Sequence, residues 1–175
     1  NEISFLVNSL FNKQIFEFGF VHADPHHGNL FMRKEKINGK SKLRIVILDY
    51  GLFMTLDDKL ISNYSLLWRG IFNQNYDLIT KACMNLDIKD PKVFTSMITG
   101  KSFDEVMDTN EKHDYNKRLK FRKVSNEKVR KFLDEHFKTI LLNLEYGRPE
   151  IPLLLKIVSY LKSNDHKLGV DLNTN

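Results

Sequence analysis

The residues whose types and spacing could do chemistry lie close together, in Val21-His22-Ala23-Asp24-Pro25-His26-His27-Gly28-Asn29 and then in Ile47-Leu48-Asp49-Tyr50-Gly51. The first stretch sets an acid and an amide on one loop, Asp24 and Asn29. The second adds an acid followed by an aromatic residue and a glycine. H-x-D-x-x-x-x-N followed by D-aromatic-G is the layout of a phosphoryl-transfer site. That reaction asks for positioned charge more than for covalent chemistry. One carboxylate orients the acceptor or takes its proton, while other oxygen ligands hold Mg²⁺ against the β- and γ-phosphates of the nucleotide. Magnesium takes octahedral oxygen ligands and usually only one or two protein carboxylates. On this reading Asp24 is the base or orienting carboxylate, Asn29 offers its amide oxygen to the metal, and Asp49 is the principal metal carboxylate. Gly51 lets the backbone turn sharply after Asp49.

The three histidines divide by position. His22 braces the turn by hydrogen-bonding nearby backbone and does no chemistry. His26 stands two residues after Asp24, where a cation near the transferred phosphate is useful, so it is a candidate for nucleotide contact; loop bracing is its other reading. His27 is a solvent-facing loop residue. With Asp24 these side chains would suit zinc by type. Their spacing across a proline turn is against it, and zinc would leave the following hairpin without a purpose.

The elements that must position these loops can be read along the chain. Ile3, Val7, Leu10, Phe11, Ile15 and Phe18 recur at three- and four-residue steps, which predicts one helix over residues 1–18 with Gly19 as its left-handed cap. A short extended piece, Phe20 to His22, leads into the Asp24 loop. Leu30 to Met32 and Leu43 to Leu48 read as strands joined by a tight turn at Asn38-Gly39. The two acidic loops are therefore expected at the same end of one hairpin. Thr55 with Asp58 reads as a capping box, opening a helix that turns Leu60, Tyr64, Leu67, Trp68 and Ile71 inward. Further helices are expected over Tyr76 to Leu86, from Asp90-Pro91, briefly from Ser102 with Glu105, over Glu127 to Tyr146, and from Pro152 to Leu161. The fold class is thus mainly α with a small β-hairpin, residues 1–165 forming one unit and 166–175 a tail.

Composition bounds the rest. The chain has 175 residues, is 42% hydrophobic and 28% charged, and carries a net charge of +5. That is the make-up of a globular domain able to bury a core, not of a disordered chain. Cys83 is the single cysteine, so there is no internal disulfide and no Cys/His zinc cluster. The most apolar run, Ile151 to Leu161, is too short to span a membrane and is interrupted by Lys156. Lys112 to Lys131 holds nine Lys or Arg against Asp114 and Glu127. This stretch suits peripheral contact with anionic lipid, although a solvated loop and helix face is the plainer reading. Nucleic acid is not an expected partner, since no recognition motif is present and the aromatic residues follow core spacing.

With these residues in hand, the chain resembles the C-terminal lobe of a UbiB-type atypical kinase, of the aarF-domain-containing kinase family. The family loop reads close to H-A-D-P-H-P-G-N. Here His22, Ala23, Asp24, Pro25, His26, Gly28 and Asn29 are in place, and His27 replaces the second proline. The family's L-D-F-G is Leu48-Asp49-Tyr50-Gly51, and the changed aromatic with Leu52 is similar to the mitochondrial aarF-domain-containing kinase 1-like branch. The resemblance is specific over about residues 15 to 75 and looser to about 165. It implies the C-terminal lobe of a protein-kinase-like fold, with ATP and Mg²⁺ as cofactors and a mitochondrial role in lipid or coenzyme Q homeostasis. It also implies that Asp24, Asn29 and Asp49 keep the base and metal roles.

Two other readings are weighed beside it. A small-molecule phosphotransferase resembling the aminoglycoside or choline kinases shares the first loop, but Pro25, Gly28 and Asp49-Tyr50-Gly51 favour the first reading. A non-catalytic pseudokinase scaffold would not need all three of Asp24, Asn29 and Asp49. A kinase site also requires a strand lysine, its paired glutamate and a loop over the phosphates. None is present in residues 1–175, so they are expected in an N-terminal lobe upstream, without which this stretch should not turn over ATP.

Overall fold

The computed structural model describes residues 2–49, 51–108 and 147–170, together with positions 131, 135, 136, 138 and 140. The described chain is mainly helical, with two small antiparallel strand pairs. Helix α1 (Glu2–Lys13) passes into a single π-helical turn (Gln14–Phe18) and ends at Gly19, whose φ of 61° is left-handed. This departs from the single helix expected over residues 1–18. A π turn winds wider than an α turn, so it shifts the apolar face. Val7, Phe11 and Ile15 are buried, whereas Phe18, expected on the same face, is 66% exposed. The π turn also buries Gln14, whose Oε1 accepts the backbone N–H of His22 at 3.1 Å. Glycine is needed at position 19, because a Cβ would sit 3.0 Å from the Leu56 carbonyl oxygen.

Strand β1 (Phe20–His22) pairs antiparallel with β4 (Phe53–Thr55), His22 opposite Phe53. Between them run β2 (Leu30–Ile37) and β3 (Lys40–Ile47), a hairpin with Leu30 opposite Ile47 and Asn38-Gly39 at the turn. The turn is as expected: Asn38 and Gly39 have φ of 51° and 77°, the positive pair that a two-residue hairpin loop demands. The strands extend further than expected, because Arg33 to Ile37 and Lys40 to Lys42 add rungs that are mostly solvent-facing and leave little apolar signal.

Helix α2 (Asp58–Phe72) is capped by Asp57, which accepts the Leu60 N–H at 2.6 Å. The expected Thr55–Asp58 box does not form, since Thr55 is held in β4 opposite Phe20. Leu60, Tyr64, Leu67 and Ile71 are buried and Trp68 packs against them, as the spacing predicts. Helix α3 (Tyr76–Asn85) folds back on α2 so closely that a Cβ on Gly70 would lie 2.9 Å from the Ile79 nitrogen. Helix α4 (Pro91–Thr99) starts at Asp90-Pro91, and α5 (Phe103–Met107) starts in a Ser102–Glu105 capping box. Most of the helix expected over residues 127–146 lies outside the described residues; positions 131, 135, 136, 138 and 140 are helical.

The last described helix, α6 (Glu150–Lys167), begins before Pro152 and runs beyond Leu161. Ile151, Leu154, Ile157 and Leu161 plug it into the common core with Val7, Phe11 and Leu60. A fully buried acid, Asp165, fixes its far end to α1: its carboxylate accepts from the Ser4 hydroxyl and, at 3.1 Å on each oxygen, from the Asn8 amide. A buried carboxylate is tolerable only when its oxygens are bonded in this way. The link locks the rotation of α6 about its axis.

Candidate active site

The site is built where β1 and the hairpin end. Ala23 N–H donates to the Leu52 carbonyl at 3.0 Å, and Leu48 N–H to the Asn29 carbonyl at 3.0 Å. Two backbone bonds thus carry the ladders past the strand ends and hold the Asp24 loop beside the Asp49 loop. The loop itself closes through the Asp24 carbonyl, which accepts both the His26 N–H (2.9 Å) and the Asn29 side-chain Nδ2 (3.0 Å).

His22 joins the two acidic loops. Its ring is fully buried; Nδ1 faces the Asp24 N–H at 3.1 Å and Nε2 the Asp49 carbonyl at 2.6 Å. An N–H can only donate and a carbonyl can only accept, so the proton is fixed on Nε2. This is the bracing role expected of His22, and it leaves neither nitrogen free for a metal.

The candidate metal groups present oxygens. The Asn29 amide nitrogen is committed to Asp24, so its oxygen is the end available to a cation, and the side chain is buried in a fixed pose. Asp49 is exposed; its Oδ1 accepts the Gly51 N–H at 2.8 Å, which leaves Oδ2. A Cβ at Gly51 would stand 3.1 Å from Asp49 Oδ1, so glycine allows that close approach. An amide oxygen and a carboxylate oxygen are hard donors that fit Mg²⁺ better than zinc. Among the described residues no three His, Cys, Asp or Glu side chains gather as a metal group. The structure brings Asn29 and Asp49 to adjacent strand ends, and bonds the Asn29 side chain to the Asp24 backbone rather than to its carboxylate.

The Asp24 carboxylate has partners that the sequence did not announce. Oδ1 accepts from Lys156 Nζ of α6 at 2.6 Å, and Oδ2 lies 3.6 Å from His26 Nε2. The Lys156 hydrogen bond, against opposing desolvation, holds the Asp24 carboxyl below its usual range. Asp24 therefore presents an ionised carboxylate, a group that can orient a hydroxyl. His26 is tied down at its other nitrogen, where Nδ1 accepts the Gly28 N–H at 3.0 Å. His27 is exposed but not simply solvent-facing: Nε2 is 2.9 Å from Lys167 Nζ, and Nδ1 is 3.4 Å from the Tyr160 hydroxyl. A lysine far along the chain has no local signature. The one available hint is that Lys156 interrupts the most apolar run without any need of packing.

Residues 1–83 match the model of the ABC1 atypical kinase-like domain. Residues 1–83 belong to that family. The chain is 30% identical over 174 residues to an ABC1 protein of Arabidopsis thaliana, covering 95% of this chain and 32% of that protein. It is 36% identical to AarF domain-containing kinase 1 of Drosophila melanogaster (65% of this chain, 22% of that protein) and 36% identical to AarF domain-containing protein kinase 1 of Mus musculus (61% and 20%). The chain thus spans a third or less of the length of these relatives. No solved structure matches it. Asp24, Asn29 and Asp49 all fall inside the ABC1 segment, whereas α6, which supplies Lys156, Tyr160 and Lys167, lies beyond it. Among the described residues no helix is long and apolar enough to cross a membrane.

Proposed function

We propose that this chain is the base-and-metal half of an Mg²⁺- and ATP-dependent phosphoryl-transfer site, the C-terminal lobe of an ABC1/UbiB-type kinase or ATPase. The observation that carries this reading is His22, whose two ring nitrogens hold the Asp24 and Asp49 loops in one register. Asn29 and Asp49 are the residues that would hold Mg²⁺. When bound there, Mg-ATP would supply an electrophilic γ-phosphoryl group, and the metal would offset the negative charge on its oxygens. Asp24 orients the acceptor hydroxyl and receives its proton as the transfer completes. Asn29 ties the two ends of the catalytic loop together, and His22 keeps the Asp49 backbone from drifting.

The lysine, glutamate and phosphate-covering loop that complete such a site come, on this proposal, from an N-terminal lobe of the same protein. Phe31, Leu48 and Leu52 remain 52%, 55% and 43% exposed around the loop mouths, an apolar rim suited to such a cover. The family resemblance extends the proposal to mitochondrial lipid or coenzyme Q homeostasis. Peripheral contact with anionic lipid through residues 112–131 stays a proposal too, because all of that stretch but Lys131 lies outside the described residues.

The test is turnover by the full-length protein with Mg-ATP, wild type against Asp24→Asn. Asp24→Asn should lower kcat by about 10²-fold or more, in the range of a lost general base, with Mg-ATP affinity within twofold. Unchanged kcat in an active protein would remove Asp24 from the reaction.

A further inference from the structure

Lys156 stands in the most apolar stretch of the chain, and its neighbours on α6, Leu154 and Ile157, are buried in the core. Lys156 itself is exposed, a position where a helix with one buried stripe accepts a cation freely. Its position is nevertheless tightly specified. Tyr160 and Lys167 follow Lys156 by four and eleven residues, about 40° and 20° around a helix, so the three share one face. That face lies on the catalytic loop: Lys156 on Asp24, Tyr160 and Lys167 on His27. The Asp165 bonds to Ser4 and Asn8 and the buried stripe of α6 hold the face in that orientation.

Two side chains reach the acid of the loop. His26, two residues after Asp24, turns Nδ1 to the Gly28 N–H and leaves Nε2 3.6 Å from Asp24 Oδ2, whereas Lys156 Nζ stands 2.6 Å from Oδ1. We infer that Lys156 supplies the cation of the site, bridging the Asp24 carboxylate and the phosphoryl group in transfer. The inference rests on the phosphoryl-transfer reading and names a residue beyond the matched ABC1 segment.

The acceptor hydroxyl oxygen bonds to the γ-phosphorus as the bond from that phosphorus to the β–γ bridging oxygen breaks. ADP leaves with the electron pair, and the acceptor's proton passes to the Asp24 carboxylate. Lys156 gains and loses no proton. It hydrogen-bonds the equatorial oxygens, over which the charge of the transition state is spread, and a preorganised donor of this kind is worth far more there than in water.

The test compares full-length wild type, Lys156→Met and Lys156→Arg for affinity to Mg-ADP alone and to Mg-ADP with aluminium fluoride, a mimic of the phosphoryl group in transfer. ATP hydrolysis is measured alongside. Methionine keeps the length and helix preference of the half-exposed lysine stem. Lys156→Met should bind the mimic on the order of 10²-fold more weakly, bind Mg-ADP within twofold of wild type and lose a similar factor in kcat, and Lys156→Arg should restore most of both. Equal mimic binding by wild type and Lys156→Met overturns the inference, as does faster hydrolysis by Lys156→Met, which would make the lysine a plug. A parallel loss of Mg-ADP affinity in both variants makes its role structural and overturns it too. A wild type that binds neither Mg-ADP nor the mimic brings down the phosphoryl-transfer reading itself, and this role with it.

Discussion

His22 Nε2 donates to the Asp49 carbonyl at 2.6 Å across 27 positions of sequence, and this bond makes one site of two loops. Its other nitrogen accepts from the Asp24 N–H, so a single buried ring spans the acid proposed to orient the acceptor and the acid proposed to hold the metal. Neither end of the ring can change partner without leaving a backbone group unpaired.

Replacing the ring shows what the bridge contributes. His22→Phe keeps an aromatic of similar size and removes both bonds, orphaning the part-buried Asp24 N–H and loosening the Asp49 carbonyl. The expected cost is about 2–4 kcal/mol, since each unpaired buried group costs about 1–3 kcal/mol. Denaturant unfolding measures it, and the Asp49 loop, once released, should weaken Mg-ATP binding in parallel. Wild-type stability in His22→Phe would contradict the bridging role.

The helical body makes its own prediction at Gly70. In an exposed helix, Gly→Ala stabilises by up to about 1 kcal/mol. Here the added Cβ would stand 2.9 Å from Ile79 Cγ1 and from the Ile79 nitrogen. Gly70→Ala should therefore destabilise by about 1–3 kcal/mol, the usual range for overpacking, and lower Tm. An unchanged or raised Tm would mean that α2 and α3 do not approach as described.

Lys162 ties stability to pH. Burial pulls its ammonium from 10.5 to about 8, while it donates to the Ile98 carbonyl. Between those values the unfolded chain holds a proton that the folded chain has released, so stability climbs as pH rises from about 8 towards 10.5. One proton corresponds to about 1.4 kcal/mol per pH unit at most. The buried Cys83 thiol, raised from 9.0 to about 12, acts in the opposite sense above pH 9, because its folded-state proton is retained longer. The clean window is therefore pH 8 to 9, where wild type should gain about 1 kcal/mol relative to Lys162→Met in parallel denaturant titrations. Identical pH profiles for the two proteins would refute the burial of this lysine.

The two acidic loops stand out in the sequence because their residue types recur at the spacing that phosphoryl transfer demands, and Asn38-Gly39 announced the hairpin that joins them. What escaped was non-local or locally disguised. The β1–β4 pairing has three rungs and joins segments more than thirty residues apart. The cap of α2 is Asp57 because Thr55 is engaged in that pairing, a competition the S/T-x-x-D/E pattern cannot show. The π turn at Gln14–Phe18 rotated Phe18 out of a face that its spacing assigned to the core. Lys156 was visible only as a break in an apolar run. Its meaning depends on Asp24, 132 residues earlier, and that proximity exists only once α6 is docked.

The central claim, that Asn29 and Asp49 hold a divalent ion against a nucleotide, is tested most directly by the metal dependence of ATP binding. Full-length wild type and Asp49→Asn should be titrated with ATP by calorimetry, with Mg²⁺ and with excess chelator. Wild type should bind at least about tenfold more tightly with Mg²⁺, in keeping with the effect of removing one charge-assisted contact of about 1.5–3 kcal/mol. Asp49→Asn should lose that gain while matching wild type in chelator. Equal Mg²⁺ enhancement in the two proteins would contradict the assignment.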